Sequence, residues 1–470
     1  MVFLNTYMKK LALLCLCSLV MLSCGTTRKH IKTKPEWVFN RPVNTAYYVG
    51  VGIASKKNNP IDFQQIAKKN ALNDLIAEIK VTVASNSVLS QFQNNTEFKQ
   101  QFESESKISA LNTIENFQVV DSWEDADNFW IYYRLSKEEF AAARRRRLMI
   151  ATERAEDFFQ RAESFDIRNN YMQAFRSKVK ALAALQEFLN EDIQSVHNGK
   201  QVYLVNEILS SMQSQLYKVT FQSQVSSLKG KVGKPVSTPF DVLAHLNNTG
   251  TEKPPVPFMP MKLSNDQGRM EYGAQTETDH QGMASFSIAR ILAKDPVQLV
   301  RISTDLNKAI MVDSLSQSLR NILLSLDVPS TSIRVNVEPI KMFMETDEKN
   351  LSARLPMNYV EPVLKKLLID SAGCNFVRNK EDADYLIKLS ANTKSLGIIW
   401  GNMYQSSLNL YLSLVDNAND AEVFKDALME VKGFQTTPET AGVDAYKTAN
   451  DLMQRRVFPK LKSELLLKEK

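Results

Sequence analysis

Side chains that could carry acid–base, nucleophilic or metal chemistry are sparse in this chain of 470 residues. The four histidines lie far apart and pair with no other ligand type at a recognisable metal spacing; they are His30, His197, His245 and His280. We interpret them as surface or loop residues. Cys374 has no candidate base beside it, so we interpret it as a buried structural thiol. The sequence therefore predicts no catalytic residues, no metal site and no cofactor.

Two short motifs suggest ligand binding, but each lacks essential parts. Gly50 and Gly52 form a Gly-x-Gly with no third glycine and no Walker lysine after it, which argues against phosphate binding. Asp125 and Asp127 lie in an acidic turn and could form a cation loop or a glycosidase pair. A calcium loop needs more oxygen ligands at set positions. We therefore interpret both aspartates as solvated carboxylates.

Aromatic and basic clusters give two further candidates. Trp123, Trp130, Tyr132 and Tyr133 could stack on sugars, but at strand positions we expect core and cross-strand pairs. The arginine run 144–147 falls in a predicted helix, where successive residues rotate by ~100° and cannot all face one phosphate surface. We interpret the run as solvated arginines on a helix linking two domains, and contact with acidic glycan or lipid headgroups is the alternative.

Cys24 is the one residue with an expected chemical role. Lys9 and Lys10 precede the apolar run 11–20, which ends at Ser23-Cys24. A membrane span needs ~20 residues, whereas this run has the length of a secretory signal. The small residue before the cysteine resembles the lipobox of bacterial lipoproteins. We expect removal of residues 1–23 and acylation of Cys24, and the alternatives are an ordinary cleaved signal or a short membrane anchor.

The expected anchor has consequences for localisation. Acyl chains such as palmitate on Cys24 would hold the chain on a membrane, each buried methylene adding ~0.8 kcal/mol. Gly25, rather than an aspartate, follows the cysteine and favours the outer membrane. The stretch 26–34 has no acidic run that would direct export to the cell surface. We therefore expect a periplasm-facing protein, with the cell surface as the alternative.

Bulk composition is that of an ordinary globular protein. The formal charge is +6, and removal of residues 1–23, which contain two lysines and no acids, lowers it to +4. This charge is too small to imply a nucleic-acid partner. Of the four cysteines only Cys24 and Cys374 would remain, so no internal disulfide is expected.

Residues 35–140 are predicted to form an α+β domain. Segment 47–52 is expected to be a strand running into a glycine turn, followed by a helix at 61–79 and strands at 79–83, 114–121 and 129–135. The pattern resembles the LPP-twenty lipoprotein family. The residues that carry the resemblance are Pro35, Trp37, Tyr47, Tyr48, Gly50, Gly52, Ala67, Ala71, Trp123, Trp130, Tyr132 and Tyr133. The resemblance covers about a hundred residues and implies an outer-membrane or surface lipoprotein without enzymatic activity.

Residues 24–34 are expected to be a tether, and residues 141–222 a helical segment. Within that segment, 171–182 is similar to the second helix of a tetratricopeptide-like hairpin, and a simple bundle or spacer is the alternative. Residues 225–315 are predicted to be an immunoglobulin-like β-sandwich. Segment 278–286 resembles a turn of bacterial sandwiches, with Gly282 at positive φ.

Residues 330–470 are predicted to be an α/β domain. A strand at 333–337, a helix at 359–372, a short strand, a meander and a closing helix at 445–467 follow in order. From the helix onward the order resembles the TolB N-terminal fold, which CsgG-like lipoproteins share. The fold class is thus multidomain α+β.

The absence of a catalytic constellation favours a binding role. The sequence predicts a non-enzymatic outer-membrane lipoprotein acting as an envelope scaffold, adaptor or assembly factor. Expected partners are the membrane, other envelope proteins and peptidoglycan, and the oligomeric state stays open. The alternative is an oligomeric secretion or pore-associated lipoprotein of the CsgG type, and an enzyme of unrecognised type is least favoured.

Overall fold

Residues 33–79, 85–92, 95–114, 116–247, 253–311 and 315–467 are described by a computed structural model. Cys24, His30 and the predicted strand positions Val81 and Val83 lie outside the described residues. The chain divides into unit 1, residues 1–82 with 103–147, and unit 2, residues 83–102 with 148–470. Helices and strands alternate through both units, which confirms the multidomain α+β class. The finer division of the chain stays a prediction.

Unit 1 is built on a three-stranded antiparallel sheet of order β1-β3-β2. The elements in chain order are α1 (Glu36–Phe39), β1 (Tyr47–Ser55), α2 (Phe63–Glu78), α3 (Thr96–Thr113), of which residues 103 onward belong to this unit, β2 (Gln118–Glu124) and β3 (Asn128–Ser136). The predicted helix at 61–79 and strand at 129–135 are confirmed. The strand predicted at 114–121 lies later in the sequence, as β2.

The core of unit 1 lies between α2 and one face of the sheet. Ala67, Ala71 and Leu75 of α2 share a buried cluster with alternate residues of β3, among them Ile131 and Leu135. This is the period-2 burial expected of a strand with one face in the core.

The predicted turn at Gly50 and Gly52 is wrong, because β1 continues through both to Ser55. A β-carbon on Gly52 would overlap backbone atoms of Ala67 and Ala71. These glycines therefore let the α2 backbone approach the strand closely, and they end no element.

The first part of unit 2 after residue 147 is helical. They are α4 (Lys137–Ile167), of which residues 148 onward belong to this unit, α5 (Tyr171–Leu185) and α6 (Leu204–Tyr217). A small hairpin, β4 (Gln194–His197) and β5 (Lys200–Tyr203), separates the last two helices. Ala155 and Phe159 of α4 are buried in one cluster with Tyr171 and Phe175 of α5. The two helices thus form a hairpin as the sequence predicts.

The middle of unit 2 is a two-sheet sandwich. Its elements are β6 (Val219–Ser223), β7 (Ser227–Lys231), β8 (Phe240–Leu246), β9 (Pro260–Gln267), β10 (Met270–Tyr272), β11 (Thr276–Glu277), β12 (Met283–Phe286), β13 (Ile288–Ile291), β14 (Val297–Thr304), α7 (Leu306–Ala309), α8 (Gln317–Leu324) and β15 (Ser330–Glu338). The sheets run β11-β9-β14-β15-β7 and β12-β8-β6, with β10-β13 as a separate pair. Val242, Phe286, Ile302 and Val335 from both sheets are buried in one cluster.

Two details of the sandwich bear on the sequence predictions. Gly282 has φ 76°, as expected for its turn. Asp279 accepts hydrogen bonds from the backbone N–H groups of Gln281 and Met283, at 2.8 and 2.9 Å, and fixes that turn. β15 pairs with β14 and β7, so the prediction that placed it in the C-terminal domain is wrong. Its alternating apolar pattern fits either sheet equally well.

The C-terminal part of unit 2 is a mixed sheet with helices on one face. Its elements are β16 (Lys341–Asn350), β17 (Ala353–Arg354), α9 (Glu361–Ala372), β18 (Asn375–Phe376), β19 (Tyr385–Trp400), β20 (Met403–Asp416), β21 (Ala421–Gln435), α10 (Pro438–Leu452), a π-helical turn (Met453–Val457) and α11 (Phe458–Leu467). The strand order is β17-β16-β19-β20-β21, and β18 pairs with β16. The predicted helix ending at Gly373 is confirmed, since Gly373 caps α9 at φ 64°.

The inner face of this sheet is apolar. Leu389 of β19 and Leu410 of β20 are buried with Leu368 of α9 and Ala445 and Ala449 of α10. Within the described ranges, no helix combines the length and apolar character that a membrane crossing requires.

Candidate functional surfaces

The histidines and Cys374 do not converge. His197 Nε2 lies 3.1 Å from Glu163 Oε1, and the His280 ring packs edge-on against Phe258. His245 is buried on β8, so its interpretation as a surface or loop residue is wrong. Ala244 and His245 are both buried, so the strand breaks the strict alternation of buried and exposed residues at this point. The sequence pattern does not reveal this break. Cys374 is buried as predicted, and burial raises the pKa of its thiol to about 12.

No group of three or more histidine, cysteine, aspartate or glutamate side chains that could hold a metal occurs among the described residues. Asp125 and Asp127 instead build their turn. Asp125 Oδ1 accepts hydrogen bonds from the backbone N–H groups of Asp127 and Asn128, at 2.9 and 2.7 Å. Asp127 pairs with Lys57 at 2.8 Å. Partial desolvation opposes ionisation, but these backbone bonds and the ammonium of Lys34 hold the pKa of Asp125 below its usual value.

The arginine run lies on α4 at the boundary between the two units. Arg145 and Arg146 are exposed, whereas Arg144 and Arg147 are partly buried. Burial thus changes around the helix, as the rotation of successive residues requires. The four arginines therefore do not share one surface, and their interpretation as part of a linking helix stays a prediction.

The outer face of the unit 1 sheet, opposite α2, carries the aromatic residues. Trp123 and Trp130 are direct cross-strand partners with ring centroids 5.0 Å apart, which confirms the predicted pairing. Trp37 of α1 lies over this face, with its ring centroid 5.7 Å from that of Tyr132. Its indole N–H donates to Asp121 Oδ2 at 3.1 Å. We call Trp37, Phe39, Trp123, Trp130 and Tyr132 the aromatic face.

The aromatic face holds a lysine ammonium. Lys34 Nζ lies 4.5 Å from the Trp130 ring centroid, 5.1 Å from that of Trp123 and 4.7 Å from that of Phe39. All three distances fall within the ~6 Å over which a cation is attracted to a ring face. Sequence reasoning assigned Lys34 only to the tether. The three rings around its ammonium come from α1, β2 and β3, and no local pattern brings these segments together.

The outer face of the C-terminal sheet is polar and forms a shallow cleft of about 660 Å³. One row across the strands runs Glu345, Lys388, Ser413 and Lys425, each residue paired in register with the next. Charges of both signs lie along this row. Such a surface suits weak, exchangeable contacts better than a buried ligand.

The β19–β20 hairpin carries an exposed apolar end. β19 continues to Trp400, past its last pairing with β16 at Asn392. The exposed side chains, which we call the hairpin tip, are Leu396, Ile398, Ile399, Trp400 and Met403. Trp400 is 85% exposed. Sequence reasoning missed the tip, because it predicted only a meander in this part of the chain and singled out none of these side chains.

Comparisons with known proteins give only weak likenesses. Neither a family model nor a curated protein matches the chain. Among solved structures, a protein assigned as a homologue of the neuraminyllactose-binding hemagglutinin of Helicobacter pylori is 14% identical, with 28% of this chain and 86% of that chain covered and a TM-score of 0.20.

Two bacterial lipoproteins are similar to the same extent. A protein assigned as a lipoprotein from Caulobacter crescentus CB15 is 20% identical over 26% of this chain and 92% of that one, with a TM-score of 0.18. A lipoprotein from Neisseria meningitidis is 10% identical over 25% and 99%, with a TM-score of 0.17. Likenesses this weak carry no argument about function, and membership of the LPP-twenty family is not shown.

Proposed function

We propose that this chain is a non-enzymatic lipoprotein of the bacterial outer membrane that acts as an envelope scaffold, adaptor or assembly factor. The acyl chains on Cys24 hold it on the membrane, and its folded units bind other envelope proteins or peptidoglycan. The observation that carries the binding role is the hairpin tip, an apolar group of side chains exposed at the end of an ordered hairpin.

The hairpin tip has the chemistry of a contact surface. Contiguous exposed apolar side chains on a folded protein mark interaction sites, and tryptophan is enriched among the residues that dominate binding energy. Burial of a side chain such as Ile398 or Trp400 against a partner contributes ~1.5–3 kcal/mol. A β-carbon placed at Gly397 or Gly401 would have none of the described atoms within 4 Å, so a partner can approach closely.

Crosslinking in intact envelopes tests this role. The protein is recovered from crosslinked cells that carry either the wild-type chain or the double variant Ile398→Ser, Trp400→Ser. Val196→Ser is the matched control, because Val196 is 75% exposed on β4 of the same unit. We expect a reproducible partner with wild type and control that is lost with the double variant. Absence of any reproducible partner, or equal recovery by all three, would overturn the proposal.

A second candidate is an oligomeric secretion or pore-associated lipoprotein, which the length of the β19–β20 hairpin favours. A transmembrane strand needs ~9–11 residues that alternate for lipid. The apolar stretch that begins at Leu396 on β19 is shorter than this. The native mass of the detergent-extracted protein distinguishes the two, since a monomer excludes the oligomeric pore.

A further inference from the structure

We propose that the aromatic face of unit 1 is a binding site for the primary ammonium of a phospholipid headgroup, and that Lys34 occupies this site as an intramolecular competitor. The site is the cage formed by Phe39, Trp123 and Trp130. It deepens the proposed function, because it gives the anchored protein a second contact with its membrane.

The cage selects for a cation. Each of the three rings presents its negative face to Lys34 Nζ, at 4.5 to 5.1 Å from the ring centroids. The carboxylate of Asp125, in the turn that follows β2, attracts the same ammonium. An anion would be repelled by the negative ring faces.

Lys34 is held in a way that permits exchange. No hydrogen bond or ion pair to the Lys34 ammonium occurs in the described part of the chain, so three ring faces and the longer-range attraction of Asp125 hold it. Cation–π contacts are individually modest at partly exposed sites. A second ammonium on an alkyl stem can therefore take the same position when Lys34 leaves.

Chain length favours a lipid headgroup as the source of that ammonium. Lys34 lies ten positions after Cys24, and an extended chain spans at most ~3.6 Å per position, or about 36 Å in all. If Cys24 is acylated, the cage stays near the headgroup layer, where the effective concentration of headgroups is high. An ethanolamine headgroup presents the same primary ammonium as Lys34.

The test uses the mature chain with Cys24→Ser, so that no acyl anchor contributes to vesicle binding. Trp400→Phe is added so that fluorescence comes from Trp37, Trp123 and Trp130, the other three tryptophans of the chain. Binding is titrated with vesicles of phosphatidylglycerol mixed with either phosphatidylethanolamine or digalactosyldiacylglycerol. Ethylammonium chloride serves as the free ligand.

We expect Lys34→Gln to bind phosphatidylethanolamine vesicles about tenfold more tightly than its parent, because the cage is empty. A simple charge effect would have the opposite sign, since loss of a lysine weakens attraction to anionic phosphatidylglycerol. Phe39→Ser added to Lys34→Gln should remove the gain, and the exposed Phe39 can be changed without disturbing the core. Lys57→Gln, which removes an equal charge nearby, should show no gain.

Equal affinity of Lys34→Gln for both vesicle types would overturn the proposal. Saturable binding of ethylammonium or of a lysine peptide without a preference for phosphatidylethanolamine vesicles would also overturn it, because the ligand would not be a headgroup. Acylation of Cys24 is measured separately, by the mass of the N-terminal peptide from envelopes. Failure of the anchor is thereby distinguished from failure of the cage.

Discussion

The buried carboxylate of Glu348 accepts hydrogen bonds from the backbone N–H of Val360, at 3.1 and 3.2 Å to its two oxygens. It also accepts from the N–H groups of Tyr359 at 2.7 Å and Glu361 at 3.0 Å. Glu348 is 2% exposed and lies on β16, whereas these N–H groups open α9. A strand residue thus satisfies the free donors of the first helical turn and places a negative charge at the positive end of the helix.

Removal of this cap should destabilise unit 2. Glu348→Ala leaves three donors without an acceptor and should lower the free energy of unfolding by ~3 kcal/mol, because each buried unsatisfied donor costs ~1–3 kcal/mol. Urea unfolding measures the change. Glu345→Ala, an exposed glutamate on the same strand, should change stability by less than ~0.5 kcal/mol. Equal effects of the two substitutions would contradict the capping role.

Gly52→Ala should destabilise unit 1. The added β-carbon overlaps backbone atoms of Ala67 and Ala71, which cannot move without shifting α2. Overpacking of this kind costs ~1–3 kcal/mol. Ile53→Val, on the exposed side of the same strand, is the control and should be nearly neutral. An unchanged midpoint for Gly52→Ala in thermal unfolding would show that helix and strand are not in close contact.

In the ion pair of Lys178 and Asp166, removal of the aspartate should destabilise the protein more than removal of the lysine. Lys178 is 1% exposed, and its Nζ donates to Asp166 Oδ2 at 2.8 Å and to Gln215 Oε1 at 2.9 Å. Asp166→Ala leaves a buried ammonium without its carboxylate and should cost ~3 kcal/mol, whereas Lys178→Met replaces the charge by an apolar stem and should cost less. Asp157→Ala, which breaks an exposed pair with Arg161, is the control.

The same pair predicts a pH dependence. Burial lowers the pKa of Lys178 below its ordinary value, against the opposing effect of Asp166. The unfolded chain therefore binds a proton more readily at this site, so the contribution of Lys178 should become more favourable to folding as pH rises towards 10.5. This dependence should disappear in Lys178→Met, and a pH profile identical to that of wild type would contradict it.

The Cys374 thiol should be unreactive in the native protein, and it should lower the free energy of unfolding at alkaline pH. Because burial raises the pKa of its thiol from 9.0 to about 12, the unfolded chain loses this proton first as pH rises. Stability should then fall by up to ~1.4 kcal/mol per pH unit above pH 9, relative to Cys374→Ala. Thiol reagents at pH 8 should label the wild type only upon unfolding, and rapid labelling of the folded protein would contradict burial.

Local sequence patterns predicted the elements whose signals are local. The apolar spacing of α2, the alternation of β3, and the glycines that end α9 and turn at Gly282 each depend on residues within one element. The cross-strand partners Trp123 and Trp130 were also accessible, because one short turn separates their strands.

Features that depend on distant residues were not predictable in this way. β15 alternates as a strand should, yet its choice of β14 and β7 as partners is made by the sandwich core. At Gly52 the backbone of α2 comes so close to β1 that no side chain fits. No local signal in the sequence shows that this glycine lies inside a strand and not in a turn. The Lys34 cage needs α1, β2 and β3 to assemble before its three rings meet.

The mass of the N-terminal peptide of the protein isolated from bacterial envelopes tests the central claim most directly. The account predicts a peptide that begins at Cys24 and carries acyl chains, absent from a Cys24→Ser variant that no longer fractionates with the outer membrane. An unmodified peptide, or one that begins elsewhere while the protein still sediments with membranes, would contradict the proposed anchor and with it the envelope scaffold.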